Sequence, residues 1–309
     1  MDISFFAAAI VAGTPLLYAV LGELITEKSG QLNLGVEGMM LMGAVIGFKA
    51  AIITSNPYIS LLAASVAGGI GALIYATLTV TLRANQVVTG LTLTIFGAGV
   101  ARFIGQGLMG ETVPQSMKVF FADFKVPLLG DIPVIGPIFF NQGILVYIGY
   151  ILTIIAGLYI YRTQIGLNLR AVGENTAAAD AAGIKISLYK YIHVLIGGVL
   201  CGLAGAYLSL VYIPAWQENV TAGRGWIAIA LVIFCKWNPY LVMAGAFLFG
   251  GLDIIGFRIQ KYEFNISQYI IDLLPYVVTI IILILVSIRK SLIGAAPANL
   301  GISYFREER

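Results

Sequence analysis

The sequence is poor in charged residues, in cysteine and in histidine. Lys, Arg, Asp and Glu make up 11% of its 309 residues, where about 25% is usual, so a soluble fold of this size could not cover its surface. Disorder is excluded too, because 59% of the chain is apolar. The net charge of +3 comes from scattered basic residues, which excludes a nucleic-acid-binding surface. Two cysteines and one histidine exclude a zinc site, and neither a metal site nor a catalytic group is predicted.

Long apolar runs fill most of the chain. A bilayer core about 30 Å thick is crossed by about 20 apolar residues in a helix, so each long run predicts one span. The predicted spans are 3–21, 34–53, 59–82, 87–107, 143–161, 191–212, 239–257 and 268–288, and the apolar segment 225–235 is about half as long. The predicted fold class is an all-α integral membrane protein with about nine transmembrane helices, eight of full length and one short broken helix. Residues 1–309 form a single transmembrane domain.

Basic residues predict the orientation, because loops rich in Lys and Arg stay in the cytoplasm. Four such residues lie in the loop at about 162–190, and four more follow the last span. Both regions are cytoplasmic only if segment 225–235 crosses the membrane, as part of a broken helix after an irregular stretch at 213–224. The N-terminus is then outside, as is the proline-rich external loop at about 108–142.

The cytoplasmic loop contains a predicted short helix. Asn175 or Thr176 is a favourable N-cap residue, an alanine-rich stretch follows, and Gly183 is a natural stop. A helix of about seven residues is marginal alone in water and needs a surface to dock on. Two interpretations remain open: an amphipathic connector on the lipid headgroups, or a coupling helix that fits a groove on a soluble partner. The residues assigned to this candidate coupling loop are Arg170, Gly173, Glu174, Asn175, Ala178, Asp180 and Gly183.

Glu37 is an acidic residue inside an apolar span, with Gly35 and Gly38 beside it. A carboxylate at this depth is costly unless it faces a cavity or a partner group. Either it lies on a substrate path, or it caps or hydrogen-bonds a neighbouring helix that the glycines allow to approach closely.

Residues 213–226 interrupt the apolar pattern just before the half-length segment. Broken helices expose main-chain amides at membrane depth, a common way to line a polar pathway. Trp216 or Trp226 would suit stacking on an aromatic polar ligand; alternatively, both belong to an interfacial tryptophan belt. The candidate pathway residues are Asn33, Glu37, Asn85, Gln86, Trp216, Glu218, Asn219, Arg224 and Trp226.

Four stretches resemble the permease subunits of bacterial ABC importers that serve ribose-type sugars, branched-chain amino acids and nucleosides. Residues 166–184, GLNLRAVGENTAAADAAGI, are similar to the loop with which that family contacts its ATPase. Residues 29–41, SGQLNLGVEGMML, residues 85–90, NQVVTG, and residues 221–230, TAGRGWIAIA, resemble the nucleoside branch. The resemblance extends from about Thr14 to Tyr304.

The resemblance implies a transport subunit of a type II-like importer rather than an enzyme, located in the bacterial plasma membrane. Such a chain forms the substrate path with a second, homologous permease by alternating access. A cytoplasmic ATPase, often two nucleotide domains in one chain, binds ATP and Mg, and an extracytoplasmic lipid-anchored binding protein delivers the nucleoside. No G-x-x-x-x-G-K-[ST] motif occurs in this sequence, and no cofactor is expected in it.

Other readings remain open. Permeases for ribose- or galactose-type sugars or for branched-chain amino acids belong to the same class, and a sugar site would be richer in Asn, Asp and Gln within the spans. An ion-coupled secondary transporter would need its own ion site, for which Glu37 and Asp253 are candidates, but a docking helix would then have no purpose. A structural scaffold would contain no pathway at all.

Overall fold

The computed structural model describes residues 3–261, 273–281, 284 and 295–305. Seven of its helices are long and apolar enough to cross a membrane, which confirms seven of the predicted full-length spans. The remaining predicted span, 268–288, lies partly outside the described residues. The long helices are α1 (Ile3–Lys28), α2 (Val36–Thr54), α3 (Pro57–Ala76, extended to Thr81 by a π-helical turn), α4 (Gln86–Gly105), α7 (Ile144–Arg162), α10 (Ile186–Tyr207, extended to Tyr212 by a π-helical turn) and α12 (Pro239–Lys261).

The loops between the spans contain short elements. The loop at 108–142 holds helix α5 (Gln115–Phe120), helix α6 (Ile135–Phe139) and an antiparallel pair of two-residue strands, β1 (Phe124–Lys125) and β2 (Asn141–Gln142). The loop at 162–190 holds α8 (Gln164–Glu174) and α9 (Thr176–Ala181). Helix α9 is the short helix that the sequence predicts. Helix α8 was not predicted, although the Thr163 side chain caps it by accepting a hydrogen bond from the Gly166 amide at 3.0 Å.

Helices α1, α2 and α10 are the most buried of the long helices, and glycines bring their backbones into direct contact with their neighbours. A Cβ atom added to Gly43 of α2 would collide with the backbone of Gly202 on α10. Equivalent contacts with backbone atoms occur where α3 crosses α10, where α1 crosses α10 and α12, and where α2 crosses α4. These are the close crossings that small residues permit between membrane helices.

The short helix α11 (Arg224–Phe234) and its lead-in run from one end of the helical bundle to the other. At one end, the main-chain amide of Trp216 donates to the carbonyl oxygen of Glu111 in the loop at 108–142, at 3.0 Å. At the other end, the indole nitrogen of Trp237 donates to the carboxylate of Glu27, near the end of α1. The segment therefore contacts both ends of the bundle; that it crosses the membrane, as the charge distribution predicts, stays a prediction.

Candidate functional site

The Glu37 carboxylate caps the N-terminus of α11. Its Oε1 atom accepts hydrogen bonds from the Thr221 hydroxyl at 2.5 Å and the Gly223 amide at 2.9 Å, and its Oε2 atom accepts one from the Gly225 amide at 2.6 Å. Glu37 is 5% exposed. A carboxylate at a helix N-terminus satisfies amides that lack an intrahelical partner and interacts favourably with the helix dipole. Of the two interpretations of Glu37, the structure shows the cap; contact with a substrate stays a prediction.

Glycines make this cap geometrically possible. Gly223 has a positive φ of 79°, which turns the chain into α11. A side chain at Gly225 would collide with the backbone of Glu37 itself, and one at Gly38 would collide with the backbone of Leu93 on α4. Three segments distant in the sequence therefore meet around one buried acid: the start of α2, the start of α11 and the middle of α4.

Arg224 is the first residue of α11 and forms an ion pair beside the cap. Its guanidinium donates to the carboxylate of Asp253 on α12 at 2.9 Å, and the two side chains are 12% and 18% exposed. The guanidinium also lies 5.5 Å from the centre of the Tyr212 ring, within cation–π range. The pair thus joins the start of the broken helix to α12 at membrane depth.

The Arg224–Asp253 pair can be tested by a double-mutant cycle. We expect Arg224→Gln and Asp253→Asn each to lower the free energy of unfolding by about 2 kcal/mol, because each breaks an ion pair in a largely buried place. The double variant should cost less than the sum of the two single ones. Thermal unfolding of the purified protein in detergent measures all three. Strict additivity would show that the pair contributes nothing to stability.

Asn33 lies in the loop between α1 and α2, and Asn85 and Gln86 lie near this loop at the start of α4. The side-chain oxygen of Gln86 (Oε1) accepts a hydrogen bond from the main-chain amide of Leu32 at 2.7 Å. The Asn33 amide donates to the carboxylate of Glu23 at 3.1 Å, while the Asn85 side chain caps α4 by accepting from Val88. These three residues hold the backbone of this end of the protein in place, and a role for them in the pathway stays a prediction.

Trp216, Glu218 and Asn219 line a small cavity towards the end that carries the loop at 108–142. The cavity also contacts Arg102 and has a volume of about 30 Å³, whereas small-molecule pockets have about 300–1,000 Å³. Trp216 is 4% exposed and packs against Phe48, with ring centres 5.9 Å apart. Its ring is therefore buried in this conformation rather than open for stacking. Trp226, on α11, is 38% exposed.

Sequence reasoning missed a pair of buried acidic residues on α1. Glu23 and Glu27 are each 1% exposed and lie one turn apart on α1. One Glu23 oxygen has no hydrogen-bond partner. The predicted first span ends at residue 21, so the sequence places both acids in the cytoplasmic turn that follows it. Only a predicted span extended through its charged end, as α1 is, would have included them.

The candidate coupling loop has the predicted caps. The Asn175 side chain accepts a hydrogen bond from the Ala178 amide at 2.9 Å, and Gly183 has a φ of 80°. Helix α9 has six residues, close to the predicted length. Ala177, Ala178 and Ala181 are exposed on it and form a smooth surface of small side chains.

The other residues assigned to this loop attach it to the rest of the chain. Gly173 packs so tightly against the Lys28 carbonyl that any side chain there would collide. The Arg170 guanidinium lies 5.7 Å from the centre of the Tyr161 ring. Glu174 and Asp180 accept hydrogen bonds from the Ala298 amide and the Tyr304 hydroxyl, at 3.2 Å and 2.7 Å. These contacts attach one side of the loop to the rest of the chain, while the side that carries the alanines is exposed.

Comparison with known proteins gives full-length matches. Residues 5–286 match the family described as "Branched-chain amino acid transport system / permease component". The putative glucose ABC transporter permease protein TsgC13 of Haloferax volcanii is 36% identical, over 97% of this chain and 97% of its own. The guanosine ABC transporter permease protein NupQ of Bacillus subtilis is 33% identical, and the nucleoside ABC transporter permease protein NupC of Lactococcus lactis is 32% identical, each over 98% of this chain and 96% of its own. No solved structure matches significantly.

The family match spans the helices described above, including the capped broken helix and the loop with α9. It agrees with the resemblance that the four sequence stretches predict. The chain is therefore a multi-pass membrane protein that belongs to the family of permease components of branched-chain amino acid-type ABC transport systems.

Proposed function

We propose that this chain is the permease subunit of an ATP-driven importer for nucleosides. The observation that carries the proposal is its similarity, over nearly its whole length, to two permeases named for guanosine and for nucleosides. The sequence stretches around Glu37, Gln86 and Arg224, which suggested the nucleoside branch, fold into connected parts of the structure, and this supports the same reading.

The proposed transporter has further subunits. An ATPase that binds ATP and Mg, often two nucleotide domains in one chain, docks on the exposed alanine face of α9. A second permease completes the substrate path, because the cavity beside Trp216, at about 30 Å³, is too small for a nucleoside. A lipid-anchored binding protein contacts the loop at 108–142 on the outside. This chain itself carries no cofactor.

The proposed topology is type II-like, with nine crossings, the N-terminus outside and the C-terminus in the cytoplasm of a bacterial plasma membrane. Support comes from the basic residues of the loop at 162–190 and from the segment that contains α11, in which Trp216 and Trp237 contact opposite ends of the bundle. Labelling of single cysteines introduced at Lys125 and Ala182 with a membrane-impermeant reagent in whole cells tests it: only the position in the outer loop should react.

A sugar importer is the second candidate, because the similar permease TsgC13 is named for glucose. Uptake of labelled guanosine by cells with and without this chain separates the two. We expect deletion to abolish uptake, and unlabelled nucleosides, but not glucose, ribose or leucine, to compete. Loss of glucose or ribose uptake with normal guanosine uptake would overturn the nucleoside assignment. Uptake that continues when the ATPase is disabled would instead indicate an ion-coupled transporter.

A further inference from the structure

The end of the chain crosses over the candidate coupling loop. Residues 297–305, here named the C-terminal strap, contact both α8 and α9. The Asn299 amide donates to the Gly173 carbonyl at 2.9 Å, and the Asn299 side chain donates to the Thr176 hydroxyl at 3.1 Å. The Tyr304 hydroxyl donates to the Asp180 carboxylate at 2.7 Å. Hydrogen bonds of both main chain and side chains therefore fasten the strap to the coupling loop.

The packing of the strap reinforces these bonds. The Tyr304 side chain packs against a small apolar cluster formed by Val172 of α8, Ala179 of α9 and Ile186 of α10. The cluster is separate from the main core. The strap thus covers the apolar seam between the two short helices, on the side opposite to the exposed alanines.

The same strap also reaches the loop between α1 and α2. The Gly301 amide donates to the Gly30 carbonyl at 3.2 Å. The guanidinium of Arg83, at the turn before α4, lies 4.8 Å from the centre of the Phe305 ring. One continuous segment therefore touches the coupling loop, the α1–α2 loop and the α3–α4 turn.

The α1–α2 loop in turn leads to the broken helix. Its Asn33 amide is bound to Glu23, its Leu32 amide to Gln86, and Glu37, which caps α11, follows within the first turn of α2. A displacement of Gly30 would therefore act on the segment that holds the start of α11. Side-chain and main-chain bonds form an unbroken physical connection from α9 to Glu37.

We propose that the C-terminal strap is a positioning element that transmits movement of the coupling loop to the α1–α2 loop and, through it, to the Glu37 cap. The proposal rests on the proposed function, because it assigns the strap a role in ATP-driven transport. Tyr304 and Asn299 are its anchors on the coupling loop, and Gly301 is its contact with the α1–α2 loop.

The test uses the assembled transporter in membranes and the double variant Asn299→Ala/Tyr304→Phe. Coupling between distant sites typically corresponds to effects of about 5–150-fold, so we expect labelled guanosine uptake to fall at least about fivefold while the complex assembles and still hydrolyses ATP. Hydrogen–deuterium exchange at residues 29–35 should become faster. Tyr304→Phe alone removes one hydroxyl, keeps the ring packing and should show the same changes in smaller measure.

The matched control is Ile302→Ala, which truncates a strap residue that is 55% exposed and should change neither readout. Uptake within about twofold of wild type in the double variant, well below the usual coupling range, would overturn the proposal. So would reduced uptake with unchanged exchange at residues 29–35, because only the coupling loop would then be affected. If the wild-type transporter takes up no guanosine, the substrate assignment fails, and the exchange measurement still decides the role of the strap.

Discussion

Replacing Glu37 with alanine should reduce uptake by at least about tenfold and lower the free energy of unfolding by about 3 kcal/mol or more. The Thr221 hydroxyl and the amides of Gly223 and Gly225 would lose their acceptor, and each buried unsatisfied group costs about 1–3 kcal/mol. The start of α11 would also lose the favourable interaction between a carboxylate and its dipole. Uptake of labelled guanosine and thermal unfolding of the purified protein measure the two effects.

Two further variants separate the cap from the charge. Glu37→Gln keeps one carbonyl oxygen as an acceptor and should fall between wild type and Glu37→Ala in both measurements. Glu111→Ala removes an exposed acidic side chain and should leave the free energy of unfolding unchanged. Normal uptake and normal stability for Glu37→Ala would show that the α11 amides find other partners and that the cap is needed neither for transport nor for stability.

A bulky charged residue on the exposed face of α9 should abolish coupled transport. Ala178 is exposed, and a groove that accepts small side chains would reject the arginine of Ala178→Arg. We expect uptake to fall by at least about tenfold, as for the loss of a central interface contact of about 1.4 kcal/mol or more. ATP hydrolysis should no longer respond to substrate, while the amount of this chain in the membrane stays normal. Measurements of uptake and of substrate-stimulated ATPase activity check both expectations.

The position chosen for this test matters. Substitution of Gly173 or Asn175 would disturb the loop itself, since Gly173 touches the Lys28 backbone and Asn175 caps α9. Ala178→Arg changes only the exposed surface. The control, Ala178→Ser, keeps a small side chain at the same exposed position. If Ala178→Arg transports as well as the control, α9 is only a connector on the membrane surface.

Local chemistry made much of this structure predictable. Apolar runs long enough to cross a bilayer as a helix predicted the spans. The Asn175 cap and the Gly183 stop predicted α9. An acid inside an apolar span with glycines beside it led to two interpretations of Glu37, and the hydrogen bonds show one of them, the helix cap. Each of these inferences uses residues close together in the sequence.

Contacts between distant residues were beyond such reasoning. The Glu37 cap joins residues 184 to 188 positions apart, and the C-terminal strap meets the coupling loop about 124 positions away. A sequence shows that Glu37 needs a partner but not which segment supplies it, because many loops carry free amides. For Trp216 the sequence leaves open a stacking surface or an interfacial tryptophan belt, and it does not show that the fold packs this side chain against Phe48.

The glycine crossings determine where this protein can move. Where two helices touch through backbone atoms, no side chains lie between them that could change rotamer. Movement of one helix against the other would therefore lose their packing contacts. Such crossings join α10 to α1, α2 and α3, α1 to α12, and α2 to α4. We therefore expect these helices to rotate as one rigid body during the transport cycle. We expect the gate to open at the edges of this rigid body rather than between its helices.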